Sequence, residues 1–242
     1  KELLTVSTFN PMSGRTSVVS NDGYIRNTTI TDKKGNILRQ NTEMVTAAGK
    51  YLINNDGTIN QVAMSNIINN SAHSSEVVNT AILRQLIKER VTGVNVNDEN
   101  IKSIRTQSSV DDQGRTVFTL SQTYADGSVS NMSMVMGANN RILTSLEQIE
   151  ANGYTRKYTS DGIINQQSSY RYKNGKIDKF SVSNRYSFTN YYRKLYGNPM
   201  DSLGNIDKRI NSADIMFSKD ELDEFKEQIA DYGNPENLDA FK

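Results

Sequence analysis

The sequence predicts an α+β fold. A large antiparallel β-meander is interrupted by a helical insertion over residues 61–91 and followed by C-terminal helices from about residue 186. Three observations carry this. Turn residues recur at near-constant spacing, with Gln113-Gly114, Asp126-Gly127, Asn139-Asn140, Asn152-Gly153, Asp161-Gly162 and Asn174-Gly175 mostly thirteen residues apart. The segments between them alternate apolar and polar, the period of a strand. Helical periodicity is confined to the stretches at 61–91 and beyond 186.

In chain order, Gly14, Asp22-Gly23, Gly35-Asn36, Gly49 and Asp56-Gly57 divide the first 60 residues. They predict strands over 16–20, 24–31, 37–45 and 50–54. "QVAMSNIINNS" (61–71) reads as a weak helix. "SEVVNTAILRQLIKERV" (75–91) reads as a strong one, with Ser74 or Ser75 as cap and Glu76 in the first turn. Its stripe of Val78, Ile82, Leu86 and Val91, broadened by Ala81 and Leu83, is expected to cover one face of the sheet. Arg84, Lys88 and Arg90 suit the negative end of the helix dipole, and Gly93 is the expected stop.

The second turn series defines a second set of hairpins. "DGYIRNTTITDKKGNIL", "DGSVSNMSMVMGANNRIL" and "DGIINQQSSYRYKNGKI" share a loose rhythm, as a degenerate hairpin repeat would. A two-residue turn at Asn174-Gly175 sets Tyr172 against Ile177, Arg171 against Asp178 and Tyr170 against Lys179. The same rule at Asp126-Gly127 puts Met132, Met134 and Met136 with Val117, Thr119 and Ser121, opposite a face holding Phe118, Leu120 and Tyr124. "YSFTNYYRKLYG" and "SKDELDEFKEQIADYG" then read as helices, the latter with a Ser218–Glu221 capping box. The predicted organisation is a meander domain over 1–185, with the 61–91 insertion, and a helical segment over 186–242 on or beside the sheet. The Asp-Gly to Asn-Gly-Lys-Ile rhythm is similar to that of bacterial exported β-meander and YD-type repeat proteins, a likeness that implies no activity.

Composition narrows the function. Only 36% of the 242 residues are hydrophobic and the mean hydropathy is −0.62, so the core is thin or part of the sheet is wetted on both faces. There is no cysteine, which removes disulfides, thiolate catalysis and Cys-ligated zinc. No stretch approaches a transmembrane helix in length and apolarity. The net charge of +1 conceals an uneven layout. Within 151–200, Arg156, Lys157, Arg171, Lys173, Lys176, Lys179, Arg185, Arg193 and Lys194 face only Asp161 and Asp178, and most of the twelve tyrosines lie there. Residues 201–242 are strongly acidic.

Tyrosine beside arginine and lysine on a strand suits an anionic or sugar-like ligand, because the rings stack and the cations steer and pair. The candidate binding residues are Tyr154, Arg156, Tyr158, Tyr170, Arg171, Tyr172, Lys173 and Arg193. The partner would be a glycan, an acidic protein surface, a nucleic acid or a lipid headgroup. The competing use is internal: Tyr and Lys suit half-exposed and edge strands, and the acidic helix at 218–231 could dock on the basic sheet.

Chemistry is sparse. His73 is the only histidine, and no motif ties it to a nucleophile and an orienting group, so it is expected at a helix entry or on the surface. Asp111-Asp112 and Asp98-Glu99 sit in predicted turns. Glu147-Gln148-Ile149-Glu150 weakly resembles the acidic pair of ADP-ribosylating toxins, but "VSTF" and "GRTS" are poorly placed for the strands such enzymes need. Alternating Met132, Met134 and Met136 read as core rather than as copper ligands. No cofactor and no metal site is expected. The reading is a non-enzymatic binding or structural module of a bacterial exported or surface-associated protein. The alternatives are the catalytic domain of a delivered effector or toxin, using Asp, Glu, Ser and Tyr, and a component of a phage or secretion assembly.

Overall fold

The computed structural model describes residues 2–91, 94–137, 141–162 and 164–188. The expected helix at 218–231 and the candidate residue Arg193 lie outside them. Four antiparallel strands come first: β1 (Leu4–Asn10), β2 (Arg15–Asn21), β3 (Ile25–Thr31) and β4 (Ile37–Met44), in the order β1-β2-β3-β4. Three helices follow: α1 (Thr46–Gly49), α2 (Gln61–Asn70) and α3 (Ser75–Arg90). A second meander is β5 (Ile101–Val110), β6 (Thr116–Tyr124), β7 (Val129–Met136), β8 (Ile142–Ile149), β9 (Tyr154–Ser160), β10 (Ile164–Lys173) and β11 (Lys176–Phe188). It forms a seven-stranded sheet in the order β11-β10-β9-β8-β7-β6-β5, with every pair antiparallel. The α+β class and the helical insertion stand as the sequence predicts. β11 runs to Phe188, slightly past the expected start of the helical segment.

Three expectations are corrected. Residues 50–54 are not a strand: only the bridge Ile53↔Ile59 forms there, around a turn at Gly57 (φ +83°). Leu52 and Ile59 enter the core instead of lying on a pleated surface. The register at Asp126-Gly127 is also one residue off. Tyr124 N–H bonds Ser128 C=O, leaving a three-residue loop in which Gly127 alone has positive φ. Asp126 Oδ1 supports this turn by accepting from Ser128 N at 2.9 Å. Phe118 therefore pairs with Met134 and Leu120 with Met132. A one-residue slip moves every side chain to the other face, and here it puts the methionines beside the aromatics they were expected to oppose. Gly114 and Gly153 end loops of the same length. The Asn174-Gly175 turn does have two residues, both at positive φ (53° and 75°). It sets Tyr172 against Ile177 and Arg171 against Asp178 as predicted, but β11 then shifts register, so Tyr170 does not face Lys179.

Helix α3 explains how two sheets share one core. Ser74 caps it, its hydroxyl oxygen accepting from Val77 N at 3.4 Å. Val78, Ile82 and Leu86, at i, i+4 spacing, join Ala81 in a cluster with Ile25 and Met44 of the first sheet and Met64 and Ile67 of α2. Leu83, Ile87 and Val91 form a second stripe one residue further round. They pack on Phe118, Leu120, Met132 and Leu146 of the second sheet. Successive helical residues lie about 100° apart around the axis, so the two stripes face two different surfaces. The helix expected to cover one sheet is wedged against both.

Backbone hydrogen bonds also stitch the sheets together. Gln40 N donates to Asp98 O and Asn100 N to Leu38 O, each at 2.9 Å, and Ala125 N reaches Asn100 O. Two buried polar networks reinforce the joint. Arg84 bonds Asp98 (2.5 Å) and the side chain of Gln122, and Gln122 passes the chain to the Tyr124 hydroxyl and Ser130. Arg90, at the end of α3, donates to the carbonyls of Ile142, Ser160 and Gly57. Burial lowers its pKa to about 10, against the pull of buried Asp161. Beside it Gly57 and Gly162 meet backbone to backbone: a Cβ on Gly162 would lie 2.6 Å from Gly57 O.

Candidate functional site

Strand alternation divides the predicted binding residues between the two faces of the seven-stranded sheet. Leu146, Tyr158 and Gln167 are successive partners across β8, β9 and β10, and Leu146 lies in the core under α3. Tyr158 is therefore on the helix side, where it packs against that core. Arg156, Tyr154 and Arg171 follow on the same side, because Arg156 pairs with Gln148 and Tyr154 with Arg171. Lys173, two residues on, shares their side. Arg156 Nε is buried without a hydrogen-bond partner among the described residues. Tyr170 and Tyr172 point the other way, their rings 5.6 Å apart and edge-on. The alternation that makes a strand thus prevents one panel from collecting all of them.

The outer face is a polar surface. Ser121 Oγ donates to Asn131, Asn131 Nδ2 to Glu147 and Tyr170 OH to Glu147 Oε2 at 3.2 Å, linking β6, β7, β8 and β10. Burial and the neighbouring Glu147 carboxylate push the Tyr170 phenol well above its ordinary pKa, so it remains a donor at neutral pH. The cations collect at one corner. Arg171 to Lys176, the tip of the β10–β11 hairpin, is exposed throughout, and Tyr172 is 45% exposed. Tyr172 N donates to Gly153 O at 3.4 Å, holding the tip against the β8–β9 loop. Lys157 is also exposed, across from Glu147.

A second constellation lies in the other sheet, and sequence reasoning missed it. His73 lies at the entry to α3, just before its Ser74 cap, as one expectation had it, but not on the surface: its side chain is only 4% exposed and packs on that of Asp22, which is fully buried. His73 Nδ1 lies 3.1 Å from Asp22 Oδ2, and Nε2 lies 3.2 Å from Ser20 Oγ. Hydroxyl, imidazole and carboxylate stand in the order of a nucleophile, a base and an orienting group. Asp22, however, is committed elsewhere. Its Oδ1 accepts from Tyr24 N (2.9 Å) and Ile25 N (2.8 Å), and its Oδ2 from Ser71 Oγ (2.5 Å) and Ala72 N (2.8 Å). Burial opposes its charge, but the hydroxyl of Ser71 and the N–H groups of Ile25, Tyr24 and Ala72 outweigh that and hold its pKa well below the usual carboxylate range. The carboxylate ties the β2–β3 corner to the α2–α3 loop, and His73 and Ser20 complete the tie. Fifty-one residues separate Asp22 from His73. Asp22-Gly23 already had a sufficient explanation as a turn, so nothing in the sequence joined the two.

Among the described residues no group of three or more His, Cys, Asp or Glu could hold a metal ion, and no helix is long and apolar enough to cross a membrane. Comparison with family models, with curated proteins and with solved structures yields no match.

Proposed function

We propose that this chain is a binding or structural module that engages an anionic partner through the basic, tyrosine-bearing corner of its seven-stranded sheet. The observation that supports the reading most is the exposed run Arg171-Tyr172-Lys173-Asn174-Gly175-Lys176. Lys173 stands directly across from Lys176, a like-charge pair that costs the hairpin stability, and only Lys176 lies on the outer strand, where charge guards a sheet edge. On the helix side Tyr154 and Arg156 continue this corner along β9. Cations on a rigid projecting corner steer an anion from a distance and lose their hold as salt rises. Asp126 and Glu150 sit in the loops at the same end of the sheet, so the attraction is confined to the β10–β11 corner.

Immobilised heparin serves as the polyanion probe. Lys173→Glu with Lys176→Glu is expected to weaken retention about tenfold at low salt, with unchanged circular dichroism. Lys33→Glu with Lys34→Glu, in the β3–β4 turn, should leave retention as in the parent. If both pairs weaken retention alike, the contact is bulk charge and the site is elsewhere; if neither does, the anionic reading is lost.

A second reading, a catalytic domain using hydroxyl chemistry, draws on Ser20, His73 and Asp22. Its test is labelling by an alkyl fluorophosphonate. The tether assignment expects Ser20 to stay unmodified, because its base is buried and its carboxylate carries four other hydrogen bonds. Stoichiometric labelling of Ser20 that His73→Ala abolishes would establish the catalytic reading instead.

A further inference from the structure

We propose that the open edge of β1 is an interface between two copies of this chain, each adding its β1 antiparallel to the other across a two-fold axis. This edge belongs to the four-stranded sheet, whereas the basic corner belongs to the seven-stranded one.

All seven residues of Leu4–Asn10 are exposed. β2 pairs with one side of this strand, and no strand among the described residues pairs with the other. Such a side presents a row of N–H and C=O groups ready to template another strand. Proteins blunt such edges with charges, proline or bulges, and the outer strands of the second sheet follow the rule. β5 carries Lys102 and Arg105; β11 carries Lys176 and Asp178. β1, "LTVSTFN", has no charge and no proline. Its register with β2 runs unbroken from Leu4↔Asn21 to Asn10↔Arg15, so no bulge twists it away. It also exposes side chains that favour strands: Leu4 is 66% exposed, and Val6 and Phe9 each 61%.

The sequence of the edge selects its occupant. An edge without charge offers nothing to choose an acidic or a basic peptide, but it is self-complementary. Pairing about Ser7 sets Ser7 against Ser7, Val6 against Thr8, Thr5 against Phe9 and Leu4 against Asn10 of the second copy. No like charges meet, and the Thr–Phe pairs, aromatic against β-branched, are of a kind that stabilises adjacent strands. The same patch serves both copies, as a two-fold interface requires. The product is a continuous eight-stranded sheet.

Sedimentation equilibrium of the 242-residue chain over a wide concentration range reads the outcome. The unmodified chain is expected to show a reversible monomer–dimer equilibrium. Val6→Lys with Thr8→Lys places lysine opposite lysine at two cross-strand pairs and should weaken the dimer by more than about tenfold. Val6→Glu with Thr8→Glu should do the same. Mixed one to one, the two variants should form a heterodimer, because each lysine now faces a glutamate. The proposal is overturned if the unmodified chain is monomeric throughout, if the lysine variant dimerises like the parent, or if mixing the variants restores nothing. Residues 6 and 8 are exposed, and near-ultraviolet circular dichroism checks that both variants keep the parent fold.

Discussion

Leu83→Ala is expected to destabilise both sheets together, by about 2–5 kcal/mol. Leu83 is fully buried, and its neighbours Phe118, Leu120, Met132 and Leu146 all belong to the seven-stranded sheet. Truncation removes buried methyl groups and leaves a cavity that strands already hydrogen-bonded on both sides cannot close. Taken alone, those contacts confine the damage to one sheet. The helix decides otherwise, because Ile82 and Leu86 on the adjoining stripe hold Ile25 and Met44 of the four-stranded sheet. Loosening α3 on one side lifts it from the other. Native-state hydrogen exchange distinguishes the outcomes. The slowest amides of β3 and β7 should lose protection by the same free energy. If β7 loses protection while β3 keeps it, the sheets fold independently and the shared-core account is wrong.

Asp22→Ala should cost about 3–5 kcal/mol, the range for a buried charge network that loses one member. The substitution strands the N–H groups of Tyr24, Ile25 and Ala72, the Ser71 hydroxyl and the His73 ring. Its pH dependence identifies the cause. The folded pKa of Asp22 lies below the unfolded value, so the unfolded state takes up the proton first. Its contribution is complete above the unfolded carboxylate pKa of about 4 and fades as pH falls through the folded pKa. Urea unfolding should therefore show a wide gap between the parent and Asp22→Asn near neutrality that narrows in acid. A gap that stays constant with pH would mean that the side chain acts by shape and not by charge.

The course of the chain is written locally. Glycines after Asp or Asn mark its corners, alternation marks the strands between them, and Ser74 with the i, i+4 stripe from Val78 marks α3. Register is less legible, because Asp126-Gly127 looks the same whether its loop holds two residues or three. Asp126 accepts from Ser128 N and Oγ in the three-residue form, and register also follows which face the core covers. That one-residue difference in loop length sets which face carries Met132 and Met134.

The candidate sites follow the same division. The basic corner was visible because its residues are neighbours in sequence, and Asn174-Gly175 keeps them together at a turn. Their gathering on a single panel does not hold, since a strand sends Tyr170 and Arg171 to opposite faces. The Asp22–His73–Ser20 tie could not be read from the chain at all. By itself, the sequence determined where the backbone turns, which periods its segments follow and which charges travel together, because those depend on neighbours within a few residues. Only the tertiary structure decided that α3 serves two sheets, that the lone histidine is buried against a carboxylate fifty-one residues away, and that β1 ends its sheet with no further strand paired to it among the described residues. Burial and hydrogen-bond partnership depend on which distant segment arrives, and no local pattern encodes the visitor.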